Sequence, residues 1–319
     1  MSNNSPLERY LLGFRLNCVA EGRSPKTILW YDHKLHIFRR YLAQHHGIDD
    51  ATAVTAEEIR AFLVHLREEV HRGDHDAHKR SQKALLSPQT IQGYYRAIKA
   101  FFSWMIREEY LENDPTRNIR RPKAPQTIVP TFDEEQVRRL LAVPDRTRPT
   151  GFRDYCILML LLDTGVRLNE LAGLRISDLH LEDGLIQVYG KGNKERMVPV
   201  GSKVRKLLWR YLAQHRPEPI YPEVQTVFLT PGGRPIKGET VYRMVVRRGR
   251  QAGLEGVRCS PHTFRHTFAV SFLRNGGDVF SLQRILGHTS LVVTRMYCQL
   301  SESDIQAQHR RCSPVDRMG

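Results

Sequence analysis

The chain has 319 residues, enough for two domains at roughly 100–200 residues each. Hydrophobic residues make up 40% and charged residues 26%, which supplies buried cores and excludes a globally disordered chain. Lys and Arg number 49 against 34 Asp and Glu, a net charge of +15, and this excess favours polyanionic partners, because each neutralised phosphate releases a condensed counterion.

The N-terminal segment MSNNSPLERYLLG has no basic stretch followed by a long apolar one, so it does not read as a secretory signal. A first helix is expected near Leu7–Val19. Ser24 and Pro25 form a cap followed by proline at the first helical position, opening a helix to about His46, where Gly47 stops it. Thr55, with Glu58 three residues on, makes a capping box that starts a helix toward Val70. Ser87-Pro88 repeats the cap-plus-proline device and opens a helix through about Glu109. Its apolar residues Ile91, Tyr94, Tyr95, Ile98, Phe101, Phe102 and Met105 follow the helical period. Together these elements predict a small all-α domain over residues 1–113.

Residues 71–86, HRGDHDAHKRSQKALL, form a polar connection. His71, His75 and His78 with Asp74 and Asp76 are metal-ligand types, but the stretch reads as a solvated loop, and neither a metal nor a cofactor is assigned. Residues 114–130 are proline-containing and aperiodic, and they carry Arg117, Arg120, Arg121 and Lys123. They read as an interdomain linker lying along a phosphate backbone.

A capping box of Thr131 and Glu134 is expected to open the second domain, residues 131–319. The longest apolar run, Ile157 to Leu162, is far short of the ~20 residues a membrane span needs. LIQVY (185–189) and RMVPV (196–200) flank the Gly-rich turn GKGNKE as a β-hairpin among helices. Five cysteines without a C-x-x-C pair point to reduced thiols and a cytoplasmic protein. The fold class is therefore mainly α with a small β-hairpin.

Several side chains on this scaffold carry chemistry. Ser260-Pro261 starts a helix on which His262 and Arg265, at i and i+3, share a face, with Phe264 and Phe268 on the opposite, buried one. A His and an Arg near outward-pointing backbone N–H groups make a phosphate site. Gly287 ends a helix capped by Asp278, His288 sits in the turn, and Thr289 or Ser290 caps the helix that carries Tyr297. Tyrosine is a covalent nucleophile only when its pKa of about 10 is countered by nearby cations or a base. Upstream, Gly165 breaks a buried helix, Arg167 falls in the first turn of the next, and Glu170 either holds the guanidinium or favours the helix start. Lys191 lies at the hairpin turn.

In order, TGVRLNEL, YGKGNKERMVPV, SPHTFRHTFA and LGHTSLVVTRMY resemble the catalytic domain of the tyrosine recombinases, the λ-integrase family, and look closest to its Xer-type and transposon-encoded members. The likeness covers nearly the whole chain. It implies a four-helix, SAM-like core-binding domain and a mixed α/β catalytic domain closing as a C-shaped clamp on DNA. It further implies that Tyr297 attacks a backbone phosphate to give a 3′-phosphotyrosine and a free 5′-hydroxyl. Arg167 and Arg265 would clamp the non-bridging oxygens, Lys191 would protonate the departing 5′-oxygen, and His262 would act as general acid and base. His288 would hydrogen-bond the phosphate, and Glu170 would orient the arginine helix. Rejoining would then need neither ATP nor metal. Leu168-Asn169 departs from the family's more usual apolar residue followed by Ser, and the 71–86 loop looks longer than in typical Xer-type members.

The implied partners are double-stranded DNA with inverted-repeat core sites and further copies of the chain in a synaptic tetramer, with a second recombinase as an open alternative. A nucleoid-associated, bacterial protein is expected, without binding to distant arm sites, since no arm-binding domain precedes residue 1. Candidate DNA contacts are Lys26, Thr27, Gln89, Thr90 and Arg96 near helix starts, then Arg120 and Arg121, then Lys237, Arg243, Arg247, Arg248 and Arg250 on a basic helix. Ser301 to Asp304 caps a terminal helix ending in Arg310-Arg311, implied to dock on a neighbouring protomer. A type IB topoisomerase shares the chemistry, and a catalytically idle DNA-binding regulator shares the fold. The compact first domain and terminal helix argue against the former, and the intact catalytic set against the latter. His262 and His266 lack the Glu of H-E-x-x-H, and Gly184 to Gly192 is one residue too long for a P-loop.

Overall fold

The computed structural model describes residues 5–71, 73–74, 84–125, 130–190 and 195–287, with 306, 309–310, 313 and 315–317 near the C-terminus. Three of its helices start in one way, on Ser24-Pro25-Lys26-Thr27, Ser87-Pro88-Gln89-Thr90 and Ser260-Pro261-His262-Thr263. In each, the serine Oγ accepts the threonine N–H at 3.2–3.3 Å, and the two hydroxyls meet at 2.8–3.0 Å. Proline occupies the first turn, where its missing N–H costs no intrahelical bond. The chain divides into two units, Met1–Thr127 and Ile128–Gly319.

The described part of the first unit holds four α-helices: α1 (Pro6–Ala20), α2 (Pro25–His46), α3 (Ala56–Glu68) and α4 (Pro88–Arg107). Helix α2 ends at Gly47 in the left-handed region (φ 65°), and α3 opens on the Thr55–Glu58 capping box. All seven apolar positions expected to line one face of α4, from Ile91 to Met105, are buried. They join Leu42 of α2, Phe62 of α3 and Leu7 of α1 in one core. Residues 114–122 follow α4 back along itself. Tyr95 Oη donates to Ile119 O (2.8 Å), Gln92 Nε2 donates to Pro122 O (2.6 Å), and Thr116 and Ile119 are buried. Side chain-to-backbone bonds of this kind leave no periodic trace in a sequence.

In the second unit, α5 spans Glu134–Ala142, and its cap lies two residues beyond the expected one. Asp133 and Gln136, not Thr131 and Glu134, form the capping box: Asp133 Oδ1 accepts Gln136 N–H (2.7 Å) and Gln136 Oε1 accepts Asp133 N–H (3.1 Å). The register is set by Phe132, which is buried and donates its N–H to Thr267 Oγ1 at 2.9 Å. Helix α6 (Pro149–Thr164) is the central buried element, and α7 (Leu168–Gly173) follows it closely. The expected hairpin is β2 (Leu185–Tyr189) and β3 (Glu195–Pro199), antiparallel with Ile186 opposite Val198 and Val188 opposite Arg196. A third strand, β1 (Leu179–His180), pairs with β2, and at two residues it is too short to show alternation. Then come α8 (Ser202–Arg210), α9 (Gly238–Gln251), α10 (Pro261–Arg274) and α11 (Val279–Leu286). Phe152 and Leu161 of α6, Ile186 and Val198 of the sheet, Val241 and Val245 of α9 and Phe264 of α10 share the second core. Among the described residues, no helix is long and apolar enough to cross a membrane.

Candidate active site

Helix α6 ends at Gly165 (φ 60°), and two residues later Arg167 is the N-cap of α7. Glu170 serves both purposes foreseen for it. Its Oε2 accepts the Arg167 backbone N–H and its Oε1 accepts Arg167 Nη1, each at 2.8 Å. Arg167 Nη2 also donates to Gly287 O at 3.2 Å. Its side chain remains 41% exposed, against 3% for Glu170.

Arg265 is only 5% exposed, so it does not lie on a wet helix face beside His262. Its guanidinium turns inward, where Nη1 donates to Gly165 O (2.8 Å) and Nη2 to Leu286 O (2.6 Å). A third arginine, Arg196 on β3, donates Nε to Ile285 O (2.7 Å) and both Nη atoms to Glu170 (2.8 Å each). Three successive carbonyls at the end of α11, those of Ile285, Leu286 and Gly287, are thus each taken by a different arginine. Carbonyls in the last turn of a helix have no intrahelical donor and carry the negative end of its dipole, so guanidinium donors stabilise them twice over. Arg167 and Arg265, 98 residues apart in sequence, meet because both guanidiniums bond carbonyls at this helix end.

Among the described residues, Arg196 is a participant the sequence reading passed over. Alternation from Val198 and Val200 places it on the inward face of β3, and an inward arginine requires a carboxylate. That was the available signal.

Burial works against a charged Glu170. Hydrogen bonds from Arg196, and then from the Arg167 N–H and guanidinium, outweigh that effect and hold its carboxyl down at about 2. His262, exposed on α10, sits below the usual imidazole range because its ring is partly dehydrated and faces the cations of Arg265, Arg167 and Arg258. Arg258 itself is held by the Tyr242 hydroxyl at 2.6 Å. His266, whose ring lies 6.3 Å from that of His262, is pushed down to about 4 by burial and by His262 and Arg265. Both imidazoles are therefore neutral near pH 7 and can accept a proton.

These shifts fix the sign of an acid response. A histidine whose folded pKa lies below its ordinary 6.5 binds fewer protons folded than unfolded, so its contribution is intact above 6.5 and is lost as the pH falls toward about 4. Glu170 adds a second loss between its ordinary 4.5 and about 2. Urea midpoints measured from pH 7 downward should therefore begin to fall below 6.5, and His266→Gln should flatten that first step. A midpoint constant from pH 7 to 5 would contradict it.

Among the other expected contacts, Lys26, Gln89, Arg96 and Arg120 are exposed. The Thr27 and Thr90 hydroxyls are engaged with Ser24 and Ser87, and Arg121 donates to Gln92 at 2.7 Å. Arg96 lies over the Trp30 ring (5.5 Å), which also faces Lys34 (5.4 Å). Lys237, Arg243, Arg247 and Arg250 are exposed on or beside α9, with Arg243 paired to Glu239 at 2.8 Å. Arg248 is corrected: its Nε and Nη2 both donate to buried Asp154 (3.2 and 2.7 Å), so it ties α9 to α6 and does not join the exposed row. Lys191, His288 and Tyr297, and most of the terminal helix, lie outside the described residues. Among the described residues, no cluster of His, Cys, Asp and Glu has the makings of a metal site.

Comparison with known proteins identifies the family of the chain. The model of the phage integrase family matches residues 130–304, and that of the phage integrase N-terminal SAM-like domain matches residues 8–109. The chain is similar to tyrosine recombinase XerD of Listeria innocua, with 30% identity over 93% of this chain and 95% of that protein. It is likewise similar to XerD of Staphylococcus aureus strain Mu50, at 31% over 97% and 98%. In fold it is similar to XerH site-specific recombinase bound to palindromic difH substrate (TM-score 0.72, 20% identity, 99% and 98% coverage). It is also similar to the Tn1549 transposon integrase in complex with a circular intermediate DNA (TM-score 0.73, 18% identity, 95% and 99% coverage). A family model spanning more than half of the chain, and relatives of this identity over nearly its full length, join an arginine pair built on one helix end: the chain belongs to the phage integrase family, the tyrosine site-specific recombinases.

Proposed function

We propose that the chain cleaves and rejoins duplex DNA through a covalent phosphotyrosine, with roles divided as follows. Tyr297 Oη attacks the scissile phosphorus as the bond to the 5′-oxygen breaks. His262, neutral near pH 7, takes the tyrosine proton, and Lys191 delivers one to the departing 5′-oxygen. Arg167 and Arg265 stabilise the charge on the non-bridging oxygens, where fixed bidentate donors act most strongly. His288 adds a hydrogen bond to the phosphate, and Glu170 orients Arg167. The observation that carries this reading is the convergence of Arg167 and Arg265 on the carbonyl end of α11, directly before His288. The phosphotyrosine conserves the energy of the phosphodiester, so religation by a 5′-hydroxyl requires no nucleotide cofactor.

DNA is the partner. Lys26, Gln89, Arg96 and Arg120 of the first unit, with Lys237, Arg243, Arg247 and Arg250 of the second, contact its backbone and grooves. Four copies of the chain assemble on paired, inverted-repeat core sites and exchange strands in sequence, inside the cell on chromosomal or mobile DNA. The domain division proposed is 1–113 and 131–319 joined by residues 114–130, the first part of which packs on α4 through Ile119 and Pro122.

Denaturing capture of covalent protein–DNA adducts on fragmented genomic DNA of the source organism tests the reading, with Tyr297→Phe alongside. Adducts ending at a discrete, inverted-repeat-like site and absent from the variant are expected. Salt-dependent binding without any adduct would sink the reading in favour of a DNA-binding regulator.

A further inference from the structure

A carboxylate that orients a catalytic cation also threatens to cancel it. Glu170 is 3% exposed and bonds Arg167 through both oxygens, one to the guanidinium and one to the backbone N–H. In so dry a setting, a lone Glu–Arg pair is close to electrically neutral, and its field at a nearby phosphate is weak. Arg196 changes that balance. Its two Nη atoms form a parallel, bidentate pair with the Glu170 oxygens, and its side chain is 13% exposed, so protein covers most of it. Two guanidiniums on one carboxylate leave a net charge of +1. The exposed member, Arg167, is the one able to present it.

We propose that Arg196 is a positioning residue that neutralises Glu170, so that Glu170 can hold Arg167 in place without cancelling the charge Arg167 presents to the phosphate. Through its Nε bond to Ile285 O, the same side chain ties the strand that follows Lys191 to the helix end that precedes His288. The inference rests on the phosphotyrosine reading above.

The test is a double-mutant cycle on single-turnover adduct formation, using a synthetic duplex that carries the recovered site. Arg196→Met should slow the step about 10- to 100-fold, as expected for a group that tunes a direct contact without making one. DNA affinity should stay within about twofold, since Arg196 contributes little exposed surface. Arg196→Lys, which keeps the charge, should recover most of the loss. The deciding variant is Arg196→Met combined with Glu170→Gln: with no carboxylate left to neutralise, it should react about tenfold faster than Arg196→Met alone. If Arg196 merely pins β3 to α11, the second substitution can only add damage, and a double variant no faster than Arg196→Met overturns the proposal. Equal losses in Arg196→Lys and Arg196→Met overturn it too. Circular dichroism and thermal melts of each variant separate misfolding from slowed chemistry. Should the wild type form no Tyr297-dependent adduct, the underlying reading fails and the proposal falls with it; a slow Arg196→Met beside an active wild type bears on the proposal alone.

Discussion

Replacing Arg265 with lysine should slow covalent adduct formation by about 10²- to 10³-fold, the loss typical of removing one preorganised donor from a transition state. The charge survives this substitution, so the size of the effect measures geometry. The Arg265 guanidinium bridges Gly165 O and Leu286 O, carbonyls belonging to two different elements, and the plane of the fork is thereby fixed. An ammonium on a flexible stem is a point charge that cannot span both acceptors and hold one orientation. Each carbonyl it abandons is buried and costs about 1–3 kcal/mol when left without a donor. Arg265→Lys should therefore also lower the melting temperature, and Arg265→Ala should lower it further. Single-turnover rates at a temperature well below both melts isolate the catalytic part. A loss of less than about fivefold in Arg265→Lys would mean that charge alone suffices, contrary to the fixed-fork argument. DNA affinity, which the proposed reading assigns mainly to exposed cations such as Arg243, Arg247 and Arg250, should change little.

What could be read from the sequence follows the range of the forces involved. The Ser-Pro-x-Thr starts and the Thr55–Glu58 box were legible because cap and partner sit within four residues of each other. The apolar face of α4 was legible because burial imposes a period. The family motifs placed Arg167, Glu170 and Arg265 together through resemblance, but nothing local said that Arg265 is buried. Its environment comes from Gly165, 100 residues upstream, and Leu286, 21 residues downstream. Arg248 was misread for the same reason. It lies on α9 beside exposed Arg247, and what separates the two is how closely each approaches Asp154, 94 residues upstream of Arg248: Arg248 hydrogen-bonds it at 2.7 Å, whereas Arg247 comes only to 3.7 Å. At the start of the second unit, Asp133 displaced Thr131 as the cap because Phe132 must be buried while its N–H reaches Thr267, 135 residues on.

The second large effect concerns a residue with no functional group. Gly165 and Gly47 both end long helices in the left-handed region, at φ 60° and 65°, where a side chain costs roughly 1–2 kcal/mol. Their surroundings differ. A Cβ on Gly47 meets nothing within 4 Å, whereas one on Gly165 comes to 2.5 Å from Phe268 Cδ1 and 3.0 Å from Leu286 Cδ2. Both of those side chains belong to the small cluster that joins α10 to α11, so Gly165→Ala adds an overpacking penalty of about 1–3 kcal/mol to the backbone cost. The expected total is about 2–5 kcal/mol for Gly165→Ala against about 1–2 kcal/mol for Gly47→Ala. Denaturant unfolding of the full chain reads this difference, and equal losses for the two variants would refute the packing argument. The catalytic consequence should exceed the stability one. Gly165 O receives Arg265 Nη1, Arg167 follows two residues later, and Leu286, which must yield to the new methyl, presents its own carbonyl to Arg265. Any shift that relieves the clash therefore moves both guanidiniums at once. Gly165→Ala should consequently lose adduct formation even at temperatures where the unit remains folded. Gly47→Ala, which touches none of these groups, should cleave DNA at nearly the wild-type rate.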